Sequence, residues 1–194
     1  MNSIMQTLKR ETWECHQRLE GKLNLFDPTF TSADYRGLLE KFLGYYRPFE
    51  NQLKELAGLG VWMPDLDRRL KTALLEADLI VLGVAAEELT LIQSCQAIPK
   101  VDSVASAFGC LYVLEGSTLG GQFLYRHFSQ SLGIRRHNGG GFFHGYGDET
   151  EAMWRTFGEG LAAAVSNFGG LENAVVASAQ ATFDSLEAWL CREC

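Results

Sequence analysis

The sequence predicts an all-α protein, a single-domain helical bundle over residues 1–194. Three observations carry that prediction. Apolar residues recur at three- and four-residue spacing along most of the chain. No segment shows the sustained alternation of a strand. No repeat of roughly 20–50 residues, low-complexity tract or linker divides the chain, and 194 residues suffice for one substantial core.

Each helix has its own signal. Ile4, Leu8, Thr12, Cys15 and Leu19 predict a first helix over about 3–21. Asp27-Pro28 breaks the chain, and Thr31 or Ser32 caps a second helix to about residue 57, which Gly58-Leu59-Gly60 ends. Pro64-Asp65 opens a third, to about residue 77. The looser stretch 78–100 holds a short helix near 85–94. Pro99 precedes a long helix over about 102–132. Residues 133–147 read as a loop containing Gly139-Gly140-Gly141-Phe142-Phe143. Asp148-x-x-Glu151 resembles a capping box for a helix to about residue 168. Gly169-Gly170 separates it from a last helix over 171–190.

Composition narrows the function classes. The net charge is −7 with no cluster of Lys and Arg, which argues against nucleic acid or an anionic membrane surface as a main partner. No apolar run approaches the ~20 residues of a spanning helix, and no N-terminal stretch reads as a signal peptide. A cytoplasmic location is therefore expected, with the five scattered cysteines reduced. Cys191-x-x-Cys194 has no second CxxC and no preceding strand, so it does not read as a metal or redox motif.

Gly116, Gly120 and Gly121 lie inside the long helix, where each costs about 1 kcal/mol relative to Ala. Gly116 and Gly120 are four apart and share a face. Two readings are open: close helix packing, or a broad flat ligand lying on bare backbone. Gly120-Gly121 also permits a kink. A membrane dimer through Gly116-x-x-x-Gly120 is excluded by Glu115, Gln122 and Arg126.

The first helix carries His16 and, four residues on, Glu20. Glu20 is placed to hold one imidazole nitrogen and leave the other free for a metal. Lys9 is seven residues before His16 and shares its face, with Trp13 between them. That face offers a metal ligand, its orienting acceptor and a cation about 10.5 Å along the axis, the reach from a porphyrin centre to its acidic rim. The alternative is a surface histidine on an amphipathic helix. His127 falls near the glycine face, as a second ligand or at the helix edge; His137 and His144 belong to the loop. No zinc spacing and no Glu-x-x-His pair of a di-iron bundle occur, nor does a Gly-x-Gly-x-x-Gly, P-loop or Gly-x-Ser-x-Gly motif.

Four segments in order resemble the bacterial biliverdin-producing heme oxygenases of the kind associated with bacteriophytochromes. They are Lys9…His16-x-x-x-Glu20, Leu111-Tyr112-Val113-Leu114-Glu115-Gly116-Ser117-Thr118-Leu119-Gly120-Gly121-Gln122, Phe142-Phe143-His144-Gly145-Tyr146-Gly147 before Met153-Trp154, and Ala181-Thr182-Phe183-Asp184-Ser185-Leu186-Glu187-Ala188-Trp189-Leu190. The resemblance covers about residues 8–190. It implies a heme oxygenase fold with His16 as the proximal iron ligand, Glu20 as its hydrogen-bond partner, and Gly116, Gly120 and Gly121 on the distal helix. Heme would be both cofactor and substrate. With O2 and an external electron donor, such as ferredoxin or a reductase, it would yield biliverdin, carbon monoxide and ferrous iron, with a bacteriophytochrome as acceptor of the bilin. The resemblance places Lys9 and Arg155 at the heme propionates, with Tyr112 as a neutral contributor and Glu159 in a position that would repel. It implies the alpha isomer of biliverdin.

One departure stands out. Better-known members carry a distal aspartate that orders water beside the iron-bound oxygen; alignment on Gly120-Gly121-Gln122 puts Ser117 there, and no Asp occurs between Asp102 and Asp148. Ser117, or Glu115 through water, is the expected substitute. A non-catalytic heme or bilin carrier on the same fold is the alternative, disfavoured by the intact His16, Glu20 and distal glycines.

Overall fold

A computed structural model describes residues 3–192. Cys194 lies outside the described residues, and with it any account of the terminal Cys-x-x-Cys. The chain forms α1 (Ile4–Glu11), α2 (Trp13–Leu23), α3 (Ser32–Glu55), α4 (Leu59–Trp62), α5 (Leu66–Arg69), α6 (Thr72–Val81), α7 (Ala86–Leu89), α8 (Val104–Ser131), α9 (Gly141–His144), α10 (Thr150–Phe168) and α11 (Glu172–Leu190). Among the described residues there is no strand, so the all-α expectation holds.

Local chemistry sets the helix starts. Ser3, Thr31 and Ser103 each accept the backbone N–H three residues on, and Gln6, Asp34 and Ser106 return the bond, closing three capping boxes. The long α8 is the axis of the bundle and lies against α11, α10 and α9. Two glycines permit the tightest approaches. A Cβ at Gly109 would run into the Val175 carbonyl and stand 2.6 Å from Ser178 Cβ on α11. One at Gly44 would meet the Gln93 carbonyl and stand 2.8 Å from the Trp189 ring.

Four elements differ from the sequence expectation. The first helix breaks at Thr12, which is buried with ψ near 1° and whose hydroxyl donates to the Leu8 carbonyl at 2.7 Å. A hydroxyl that bonds the preceding turn competes with regular helix. The third breaks at Leu70, in extended conformation (φ −69°, ψ 135°), so that Lys71 and Thr72 present their amides to the Glu50 carboxylate at 2.5 and 3.2 Å. The Asp148/Glu151 capping box does not form: 147–149 is a 3-10 turn, and α10 begins without a side-chain cap. The expected loop at 133–147 contains α9, whose Gly141 and Phe142 amides donate to buried Asp78 at 2.9 and 2.7 Å.

Candidate functional site

A cavity of about 820 Å³ opens within the bundle, inside the ~300–1,000 Å³ range of ligand sites. Its wall draws on α1, α2, the 24–26 turn, α3, α8, α9, α10 and α11. Most of it is apolar: Trp13, Phe26, Phe42, Phe142, Phe143 and Phe183 supply aromatic surface.

The α8 wall explains the glycines one by one. Ser117 and Gly120 are exposed in the middle of the longest helix, because that side faces the cavity. A Cβ at Gly120 would meet nothing within 4 Å, so this glycine borders open space. At Gly116 a Cβ would reach the Trp154 ring at 3.4 Å, an ordinary contact. Gly121 is buried, and its Cβ would stand 3.4 Å from the Phe143 carbonyl. Both readings of the glycine face therefore apply: Gly121 serves close packing against α9, and Gly120 leaves backbone bare to the cavity. The helix is continuous through all three.

His16 lines the same cavity from α2. Its ring stacks with Trp13 (centroids 6.5 Å apart, 22°) and meets the edge of Phe183 at 5.8 Å. Glu20 stands 3.6 Å from Nδ1, close enough to pair but beyond a hydrogen bond, and Nδ1 has no partner. The expected orienting bond is thus set up without being closed. Helix α2 is clamped to α11: Glu187 accepts from Arg18 at 2.6 Å and Lys22 at 2.5 Å, and Asp184 accepts from Arg18 at 2.5 Å. Hydrogen bonds from Lys22 and Arg18 hold the Glu187 carboxyl below the usual range.

Lys9 lines the cavity and is exposed; Tyr112 lines it and packs on Trp154 at 5.6 Å. Arg155 does not line it. Trp154 takes the inward position on α10, and Arg155 is one residue, ~100°, further round the helix. Its side chain is 70% exposed and stands 3.9 Å from Glu159. Of the two expected propionate cations the structure brings only Lys9 to the site. The remaining histidines lie off the cavity wall: His127 packs on Phe26 at 4.8 Å, His137 is exposed, and His144 packs on Tyr125 at 5.2 Å. Among the described residues no group of three or more His, Cys, Asp or Glu side chains could hold a metal ion.

Lys71 and Tyr46 are polar wall residues that were not legible in the sequence. Behind them lies a buried charge cluster. Glu115 is 3% exposed and accepts from Arg69 and from the Tyr146 hydroxyl at 2.8 and 3.0 Å. Arg69 also donates to Asp65 and to Thr156. Lys71 Nζ lies 3.8 Å from Glu115 and 3.8 Å over the Tyr146 ring. Burial lowers the Lys71 ammonium to about 8 against the opposing pull of Glu115 and Glu50. Burial also raises the Glu50 carboxyl and the Tyr46 phenol. Ser117 Oγ donates to the Leu114 carbonyl at 2.7 Å and stands 3.4 Å from the Tyr46 hydroxyl. Of the two expected substitutes for the distal aspartate, Ser117 lines the cavity and Glu115 sits behind its wall.

The family model described as heme oxygenase matches residues 2–192. The chain is 34% identical to heme oxygenase PigA of Pseudomonas aeruginosa over 129 residues, 64% of this chain and 61% of that protein. That match spans less than two thirds of the relative. The fold is similar to that of a heme oxygenase from Neisseria meningitidis solved with NO and CO bound. The TM-score is 0.77 at 22% identity, covering 98% of this chain and 91% of the other. No described helix is long and apolar enough to cross a membrane.

Proposed function

The chain belongs to the heme oxygenase family, and we propose that, as a single heme oxygenase-like domain, it binds heme in the 820 Å³ cavity and cleaves it to biliverdin with release of carbon monoxide and ferrous iron. One observation carries this reading: an imidazole on α2, with Glu20 3.6 Å from its Nδ1, and a stretch of bare helix backbone, on α8, line the same aromatic cavity. That set suits an iron porphyrin. The imidazole is a metal ligand, the flat wall lacks the side chain that would fill it, and the aromatic lining matches a macrocycle. Bound there, heme supplies the redox chemistry, with O2 and external electrons as co-reactants.

The chain's own residues bind and orient. His16 is the iron ligand, and Glu20 closes on Nδ1 when the ring is fixed, setting its tautomer. The clamp from Glu187 to Arg18 and Lys22 holds the helix that carries His16. Lys9 pairs with a propionate, which is costly to leave unpaired. Gly116 and Gly120 keep the opposite face of the macrocycle close to backbone, and Ser117 donates or accepts at water beside it. Electrons come from a donor protein such as ferredoxin or a reductase in the cytoplasm, and the bilin goes to a bacteriophytochrome.

The test is spectroscopic. Ferric heme is added, then reductant in air. A Soret band that decays as a bilin band rises, with carbon monoxide released, supports the reading. A Soret band that persists under reductant and O2 makes the protein a carrier. His16→Ala is expected to lose turnover and to regain it with added imidazole; turnover at the parental rate without imidazole removes His16 from the iron.

A further inference from the structure

We propose that Lys71 is a positioning residue for the distal side of the heme cavity, its ammonium ordering the water for which this chain has no aspartate. The proposal rests on the reading of the cavity as a heme site.

The backbone delivers Lys71 inward. The extended residue Leu70 separates α5 from α6, and Glu50 fixes the turn by accepting the Lys71 and Thr72 amides. The side chain then runs over the Tyr146 ring, with 3% of it exposed, and reaches the cavity wall. Its ammonium is 3.8 Å from Glu115, an ion pair without a hydrogen bond. No described acceptor stands within hydrogen-bond distance of it. A buried ammonium has three donors and needs acceptors. The cavity side is where water supplies them.

The surroundings hold that charge in place. Glu50 faces it from α3, Arg69 from α5, Glu115 from α8, and Tyr146 from the turn before α10; Tyr46 of α3 lines the same cavity. Arg69 and the Tyr146 hydroxyl engage Glu115, and at 3.8 Å the carboxylate attracts the ammonium without taking its hydrogens. A second, small cavity of about 10 Å³ lies among Tyr46, Glu50, Arg69 and Glu115, room for roughly one water with polar partners on several sides. Tyr46 stands at both cavities and lies 3.4 Å from Ser117. The polar side of the heme cavity thus runs through Ser117, Tyr46 and Lys71, and Lys71 is its cation.

Carbon monoxide on reduced heme is the probe, because its stretching frequency falls in a positive local field. The spectrum of the parental complex is recorded from pH 6 to 10, with Lys71→Met and Lys71→Arg beside it and heme loading checked by the Soret band. The parental frequency is expected to rise with pH with a midpoint near 8, as Lys71 loses its charge. Lys71→Met is expected at the higher frequency throughout, and Lys71→Arg at the lower frequency with no midpoint. A loaded complex whose frequency ignores both pH and Lys71→Met overturns this inference and leaves heme binding standing. Should Lys71→Met not fold, the parental titration and Lys71→Arg decide the same point. A protein that takes up no heme overturns both.

Discussion

Gly120→Ala separates a glycine kept for a ligand from one kept for packing. Gly120 lies inside α8, and an added Cβ meets no atom within 4 Å. The substitution therefore brings no clash in the ligand-free protein and removes a helix-interior glycine, a gain of about 1 kcal/mol. For a chain of this size that raises the midpoint of thermal unfolding by roughly 2–4 °C. The methyl enters the space assigned to the macrocycle in the proposed complex, so heme affinity and turnover are expected to fall together. Gly109→Ala is the control: its Cβ runs into the Val175 carbonyl on α11, which is backbone and cannot step aside. That variant is expected to lose stability by ~1–3 kcal/mol, as overpacked sites do. Calorimetry of the apoproteins and heme titration by the Soret band read both effects. A Gly120→Ala protein that is less stable than the parent refutes the open-cavity assignment. One that is more stable yet binds and turns over heme normally refutes the placement of heme on α8.

Further outcomes follow from the same geometry. Lys9→Glu is expected to weaken heme binding roughly three- to tenfold, the scale of losing an exposed ion pair and gaining a repulsion. Arg155→Glu is expected to change it less than about twofold, since Arg155 is off the cavity wall; equal losses in a heme titration would put Arg155 back at the propionates. Chromatography of the bilins from Lys9→Glu reads the same contact through the isomer formed, with the parent expected to give the alpha isomer alone. Lys22 and Arg18 lower the Glu187 carboxyl below its usual 4.5. The clamp therefore stabilises the fold fully above that value, and its contribution is lost as pH falls through the lowered one. The stability difference between the parent and Glu187→Gln is expected to be present at neutral pH and to shrink as pH drops below about 4.5; urea midpoints that differ equally at all pH values would contradict it.

The sequence carried the fold class, because helical period and glycine or proline punctuation are local. It missed the breaks at Thr12 and Leu70, since both residues fit a helix by pattern: the first turns on a hydroxyl bonded one turn back, the second on a partner elsewhere. The Leu8 carbonyl takes the Thr12 hydroxyl, and Glu50, about twenty positions upstream, takes the amides after Leu70. Helix α9 is tied by Asp78, 63 positions before it. At the site, His16, Glu20 and the glycines were readable because helical spacing puts them on common faces. Arg155 was placed by family register alone, and one residue of register on α10 separates the inward Trp154 from the outward Arg155. Lys71 had no local signal at all. Its burial is set by Glu50 and Glu115 from two other helices, which no spacing in its own neighbourhood encodes.

A crystal structure of the ferric heme complex puts the account to its most direct test. Iron bonded to His16, the macrocycle lying on α8 over Gly116 and Gly120, and a propionate at Lys9 are the result expected. Iron on His127 or His144, or a heme bound away from the α8 backbone, would contradict it.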